Sequence, residues 1–160
     1  MGPVFAPSGI NVLTHMLNEL HEHGRLDLSR RRKGCPLPAE DAARVVSGML
    51  DQYGCGLEGW GIFHYCSPDV TSCYEFAEVL LAAASQYTEF NEDDPTILAA
   101  EEASDERDWR LSCDKLRDTF AIKQQPWRVS VAAHVKQYYA QHSKREKSDG
   151  ESHGQRDASA

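Results

Sequence analysis

Three glycines near the middle of the chain have the spacing of a phosphate-binding loop. Gly54, Gly56 and Gly59 in YGCGLEGWG match Gly-x-Gly-x-x-Gly, the loop that holds a pyrophosphate in dinucleotide-binding enzymes. That loop needs a strand before it and a helix after it, because the phosphates rest on the helix N-terminus. Here a strong helical pattern precedes Gly54, and an aromatic segment follows Gly59. The sequence therefore favours a helix end and a turn over a nucleotide site.

Three cysteines and one histidine lie close enough in sequence to suggest a metal site. Cys55, His64, Cys66 and Cys73 offer thiolate and imidazole groups, which tetrahedral zinc prefers. The set lacks the tight Cys-x2-Cys pair of most zinc modules, and Cys73 also fits the apolar face of a helix. A small zinc-stabilised module around Cys55–Cys73 is therefore an alternative. The preferred interpretation is separate reduced thiols with no metal.

A short basic cluster interrupts a proline-containing segment that we predict to be a loop over residues 25–38. Arg30, Arg31, Arg32 and Lys33 follow one another directly and could contact phosphates or an acidic protein surface. No aromatic residues alternate with them to stack on bases. The sequence pI near 5.3 also disfavours direct nucleic-acid binding. A nucleic-acid-binding regulator using this cluster is therefore an alternative function.

The distribution of charge is the feature that departs most from an ordinary sequence. No Lys or Arg occurs from Val45 through Glu106, a stretch of 62 residues with thirteen acidic ones. A surface of one sign attracts partners of the opposite sign and speeds their encounter, although it also serves solubility. We therefore predict a face that binds a partner with a basic surface. Its candidate residues are Glu89, Glu92, Asp93, Asp94, Glu101, Glu102, Asp105, Glu106 and Asp108.

Two helices near the N-terminus are indicated by apolar residues at helical spacing. The first is expected over about residues 9–23. Ser8 or Asn11 could cap its start, and Gly24 could end it because glycine adopts positive φ easily. The second should begin at Pro38, since proline suits the first helical turn.

The rest of the chain predicts one extended segment and several more helices. Residues 59–66 are aromatic and β-branched and should be extended. Ser67 could cap a third helix, and Pro95 could begin a fourth. Helical spacing returns over residues 109–120 and again over about 128–142.

These elements predict a mostly α fold, a compact bundle of four to six helices with a minor extended segment near 59–66. Residues 1–142 should form a single helical domain. Residues 143–160 are polar and charged, and should form a disordered tail because they can bury little apolar surface.

Because no catalytic motif has its structural context, we expect no catalytic residues, no cofactor and no enzymatic activity. The charge pattern favours a small acidic interaction protein, an inhibitor or adaptor that occupies a basic surface of a partner such as a nucleic-acid-handling complex. The longest apolar run is far too short to span a bilayer, so no membrane association is expected. With no signal peptide evident, a cytoplasmic location is expected.

Overall fold

A computed structural model describes residues 2–88, 96–99 and 110–154, with side chains described as far as Ser143. Within these residues the chain forms five helices and six short strands. The helices are α1 (Val12–His23), α2 (Ala39–Gly54), α3 (Cys73–Ala84), α4 (Asp114–Phe120) and α5 (Arg128–Gly154). The strands are β1 (Val4–Phe5), β2 (Arg25–Leu28), β3 (Lys33–Gly34), β4 (Leu37–Pro38), β5 (Thr71–Ser72) and β6 (Thr96–Ala99).

The first two predicted helices are confirmed. Asn11 caps α1, and its side-chain oxygen accepts hydrogen bonds from the backbone N–H groups of Leu13 and Thr14 at 3.0 and 3.3 Å. Gly24 ends α1 with a φ of 63°, a left-handed conformation that favours glycine. Pro38 is the N-cap of α2 rather than its first residue.

The strands pair as three separate two-stranded ladders, two of them parallel. β1 pairs with β4 and β2 pairs with β6 in parallel, whereas β3 pairs with β5 in antiparallel orientation. Parallel neighbours need a long crossover, and helices lie between the partners here, which is an α/β arrangement. The prediction of a mostly α bundle was therefore wrong. It failed because strands of two to four residues are too short to show alternating hydrophobicity.

Several element boundaries also differ from the predictions. The segment after Pro95 forms strand β6 and not a helix, and three strands lie within the predicted 25–38 loop. The third helix begins at Cys73, five residues after Pro68, because Ser72 and Glu75 form a capping box there. Residues 59–66 adopt neither helix nor strand.

The backbone of α5 stays helical as far as Gly154, where composition predicts disorder from residue 143. Extending an existing helix fixes one residue per hydrogen bond, which is far easier than nucleating a new one. The backbone of residues 143–154 is therefore described as helical, the disordered tail stays a prediction, and residues 155–160 lie outside the described residues. No helix in the described part of the chain is long and apolar enough to cross a membrane.

The main hydrophobic core lies between α1, α3 and α5. Trp127, at the start of α5, is fully buried and packs against Phe76 with 5.0 Å between ring centroids. The Trp127 backbone N–H donates to the Ser67 hydroxyl at 3.0 Å, and its indole N–H donates to the Asp69 carbonyl at 3.2 Å. These contacts attach α5 to the segment that leads into α3.

A second hydrophobic cluster fills the space between α2 and α4, and a buried polar network borders it. Asp41 is only 5% exposed and accepts a 2.6 Å hydrogen bond from the Tyr65 hydroxyl. Arg44, one turn further along α2, forms an ion pair with Asp41 at 2.6 Å. Burial and the Asp41 hydrogen bond raise the pKa of the Tyr65 phenol well above its usual value. This network fixes α2 against the 59–66 segment.

Candidate functional site

The glycine-rich stretch forms a helix end and a turn. Gly54 is the last residue of α2, and Cys55 caps the helix with its N–H donating to the Asp51 carbonyl at 3.0 Å. Gly56 follows with a φ of 89°, and the chain then enters the irregular 59–66 segment. No helix begins after the turn, so its N–H groups are not arranged to hold a pyrophosphate. The interpretation of these glycines as a turn is confirmed.

The four residues of the possible zinc site do not come together. Cys55 and Cys73 are exposed, whereas Cys66 is buried with Cys35 and Cys113 in a separate thiol cluster. No group of three or more His, Cys, Asp or Glu in the described residues could hold a metal ion. The zinc-module alternative was therefore wrong, because residues close in sequence face different surroundings.

The basic cluster forms the turn that leads into β3. The backbone N–H groups of Arg31 and Arg32 both donate to the Ser29 hydroxyl at 3.2 Å. The guanidinium of Arg30 lies over the Tyr74 ring at 4.0 Å from its centroid, a cation–π contact with α3. These contacts turn Arg32 and Lys33 toward a cavity.

That cavity has a volume of about 560 Å³ and lies beside α1 and the start of α3. Its apolar lining comes from distant parts of the sequence and includes Val12, Met16, Phe76 and Leu111. Its polar and basic lining includes Arg32, Lys33, Thr71, Ser72, Cys73 and Arg110. A concave site with an apolar wall and a few convergent polar groups is typical of small-molecule binding.

The electrostatics of the cavity favour an anionic ligand. Three basic side chains, Arg32, Lys33 and Arg110, reach it, and Lys33 also pairs with Glu75 at 3.7 Å. The N-terminus of α3 opens onto the same cavity at Cys73, so the helix dipole adds partial positive charge. Guanidinium and ammonium groups beside a helix N-terminus are a common arrangement for binding phosphate.

The capping box at the start of α3 shapes this part of the cavity. The Glu75 backbone N–H donates to the Ser72 hydroxyl at 3.1 Å, and the Ser72 N–H donates to the Glu75 carboxylate at 2.9 Å. The second hydrogen bond is the main reason why the pKa of Glu75 is lower than its ordinary value, and Thr71 and Lys33 add to the effect.

We expect the capping box to make stability depend on mildly acidic pH. Because the folded-state pKa of Glu75 is depressed, its contribution is present above the ordinary carboxyl pKa of about 4.3 and is lost as pH falls below it. Solvent screening at this half-exposed group limits the loss to about 0.5 kcal/mol. Between pH 6 and pH 3, urea unfolding should show a loss that is larger by this amount in the wild type than in Glu75→Gln. Equal losses in both proteins would contradict the assignment.

The sequence predicted only part of this site. It identified Arg32 and Lys33 as anion-binding candidates but missed Arg110 and the junction of β5 with α3 at Thr71–Cys73. The Ser72-x-x-Glu75 spacing is the sequence signature of a capping box and could have located the start of α3. The nine acidic residues proposed to bind a partner, from Glu89 to Asp108, all lie outside the described residues.

The chain is similar to known proteins both in sequence and in fold. The chain is 28% identical over 135 residues to a dTDP-4-dehydrorhamnose reductase of Sinorhizobium fredii strain NBRC 101917 / NGR234, covering 80% of this chain and 45% of that relative. A solved dTDP-4-dehydrorhamnose reductase from Clostridium acetobutylicum is similar in fold, with a TM-score of 0.64 and 20% identity over 83% of this chain and 45% of that one.

A second solved structure, RMD from Pseudomonas aeruginosa complexed with NADPH, also has a TM-score of 0.64, with 17% identity over 87% of this chain and 46% of that one. The chain therefore spans less than half the length of these relatives. The similar solved structures have Rossmann-like α/β folds, which agrees with the parallel ladders described above.

These relatives overturn the functional prediction. Two of them are named dTDP-4-dehydrorhamnose reductases, so the expectation of a non-enzymatic inhibitor or adaptor was wrong, as was the nucleic-acid-binding alternative. The prediction failed because it depended on charge counted along the sequence. The cavity, in contrast, is assembled by folding from segments that are far apart in the chain.

The match to a family is extensive and includes every cavity residue. Residues 1–140 match the family described as the RmlD substrate binding domain, and the segments that line the cavity all lie within that range. With most of its sequence covered by this match, the chain belongs to the RmlD substrate binding domain family.

Proposed function

We propose that this chain is the substrate-binding part of a sugar-nucleotide reductase and that its cavity holds the nucleoside diphosphate portion of a substrate such as dTDP-4-dehydrorhamnose. The observation that carries the proposal is a cavity whose lining combines apolar side chains with three cations, Arg32, Lys33 and Arg110. The family match and the names of the relatives support the same chemistry.

The basic and the apolar residues of the lining suit different parts of such a ligand. The diphosphate carries negative charge, which Arg32 and Lys33 can neutralise through charge-assisted hydrogen bonds. The Ser72 hydroxyl accepts from the Glu75 N–H in the capping box and still has its own hydrogen to donate to a phosphate oxygen. The partly exposed apolar side chains of Val12 and Leu111 can pack against the flat face of a base. The volume of about 560 Å³ is within the range usual for ligands of this size.

A nicotinamide cofactor, which one similar structure holds as NADPH, does not fit the glycine stretch of this chain. Gly54 ends a helix, and no helix N-terminus follows Gly59 to receive the phosphates. The role that we assign to the described residues is therefore substrate binding and orientation, without a step that involves the cofactor.

Calorimetric titration with dTDP, dTMP and thymidine tests the proposal. We expect affinity to fall in that order, because each lost phosphate removes charge that the cations stabilise. Lys33→Gln and Arg32→Gln should each weaken dTDP binding about tenfold, equivalent to about 1.4 kcal/mol. Arg25→Gln is the matched control, since Arg25 is an exposed cation in β2 that does not line the cavity.

The control variant should bind dTDP with the affinity of the wild type. Equal affinity for dTDP and thymidine would show that the cations do not contact a diphosphate. Equal losses in Arg25→Gln and Lys33→Gln would show that only overall charge matters. Either result would refute the proposed site.

A further inference from the structure

Three of the five cysteines meet in a buried cluster beside the cavity, and the proposed function gives them no role. Cys35, Cys66 and Cys113 are between 1% and 6% exposed. They come from three separate segments: the β3–β4 connection, the end of the 59–66 segment and the N-cap of α4. Gly2 covers the cluster, and a Cβ at this position would collide with the Cys35 carbonyl.

Cys66 contacts both of the other thiols, and its distance to Cys113 is the one that bears on a disulfide. The Sγ atoms of Cys66 and Cys113 lie 3.8 Å apart. Both thiols also donate to the same acceptor, the Leu111 carbonyl, at 3.7 and 3.8 Å. Both sulfurs therefore lie next to the Leu111 carbonyl and next to each other. A disulfide needs an S–S separation of about 2.05 Å, so the two sulfurs must move closer together. Rotation of the two cysteine side chains can supply part of this movement.

We propose that Cys66 and Cys113 form a site of reversible oxidation, at which a disulfide connects the segment before β5 to the start of α4 and fixes the Leu111 side of the cavity. The oxidant is a peroxide. The two S–H bonds break, one S–S bond forms, and the two electrons and two protons reduce hydrogen peroxide to two molecules of water. A dithiol reverses the step by thiol–disulfide exchange.

The position of the pair connects its oxidation to the cavity. Leu111 lines the cavity wall and is two residues from Cys113, while Cys66 precedes the Ser67–Ser72 segment that leads to the cavity at Thr71. A disulfide across this junction restricts both segments at once, and it also closes a long loop of chain, which lowers the entropy of the unfolded state. The oxidised protein is therefore more stable, with less mobile backbone around Leu111.

The surroundings of the thiols make the reaction slow at neutral pH. Burial raises the pKa of both, that of Cys113 to about 11. Because the thiolate is the reactive form, the rate of oxidation should rise about tenfold per pH unit below that value. The pair therefore responds to sustained exposure to an oxidant and not to brief exposure.

The experiment uses the Cys55→Ser/Cys73→Ser background, which removes the two exposed thiols and leaves the buried three. After exposure to hydrogen peroxide, peptide mapping by mass spectrometry should find a Cys66–Cys113 link that dithiothreitol removes. The melting temperature should rise, and amide hydrogen exchange around Leu111 should slow. Cys113→Ser should abolish the link, whereas the matched buried variant Cys35→Ser should retain it.

The proposal does not depend on the ligand, so failure of dTDP binding would not affect this test. A Cys35–Cys66 link, or the absence of any intramolecular link after prolonged oxidation at pH 8.5, would overturn the proposal. A Cys66–Cys113 link that leaves hydrogen exchange around Leu111 unchanged would also overturn it, since the effect on the cavity wall would then be missing.

Discussion

Trp127→Ala should lower the free energy of unfolding by about 3–5 kcal/mol, the largest stability loss that we expect from a single change in this chain. The indole is fully buried and packs on Phe76, so its removal leaves a cavity between α3 and α5. The change also leaves the Asp69 carbonyl without the indole N–H that donates to it. Urea unfolding followed by circular dichroism should show the loss as a lower midpoint at a similar slope.

Trp60→Ala is the matched control for this experiment. Trp60 is 82% exposed, and its ring stacks on Tyr53 with 4.4 Å between centroids. Removal of this side chain takes away a surface contact without creating a cavity, so the loss should stay below about 1 kcal/mol. If Trp60→Ala destabilises as much as Trp127→Ala, the core is not centred where we describe it.

Asp41→Ala should cost about 2–4 kcal/mol, because it removes one partner from a buried network. The Tyr65 hydroxyl would lose its 2.6 Å acceptor, and the Arg44 guanidinium would lose its counter-ion. A buried polar group left without a partner retains its full desolvation penalty, which is why the loss exceeds that of an ordinary hydrogen bond. Chemical denaturation at pH 7 measures it directly.

Two further variants measure how much of this loss comes from the hydrogen bond between Asp41 and Tyr65. Tyr65→Phe keeps the ring and removes the hydroxyl, and should cost about 1 kcal/mol. In the Asp41→Ala/Tyr65→Phe double variant the losses should not add, since Asp41→Ala has already broken the shared hydrogen bond. Asp114→Ala breaks an exposed pair with the same i, i+3 spacing, Asp114–Arg117, and should have a much smaller effect. Additive losses would show that the two side chains act independently.

The sequence predicted the long helices well and the strands poorly. In α1 and α2, apolar residues repeat over three turns, so the helical period is visible locally. β2 has only the four residues Arg-Leu-Asp-Leu, and its partner β6 follows Pro95 in a segment that resembles a helix start. Pairing with a distant partner decides the conformation of such short segments, and this information is not local.

The candidate site was predictable only where its residues are adjacent in sequence. Arg32 and Lys33 are adjacent in sequence and were identified, although as contacts for nucleic-acid phosphates or an acidic protein surface. Arg110 and Phe76 reach the same cavity from other segments, and only folding brings them there. The acidic stretch offered a strong signal along the sequence, but its proposed binding residues lie outside the described residues. A basic partner for that stretch therefore stays a prediction.

The parallel pairing of β2 with β6 has a consequence for how quickly the protein can reach its native state. Leu26 pairs with Ile97, about 70 residues further along the chain, and α2 and α3 both lie within the loop that this pairing closes. Contacts of such high sequence separation form late, because the entropy of a large loop is lost before the ladder compensates for it. Helices α1 and α2 can form early from local interactions, whereas this ladder must wait for the chain between its two strands to become compact.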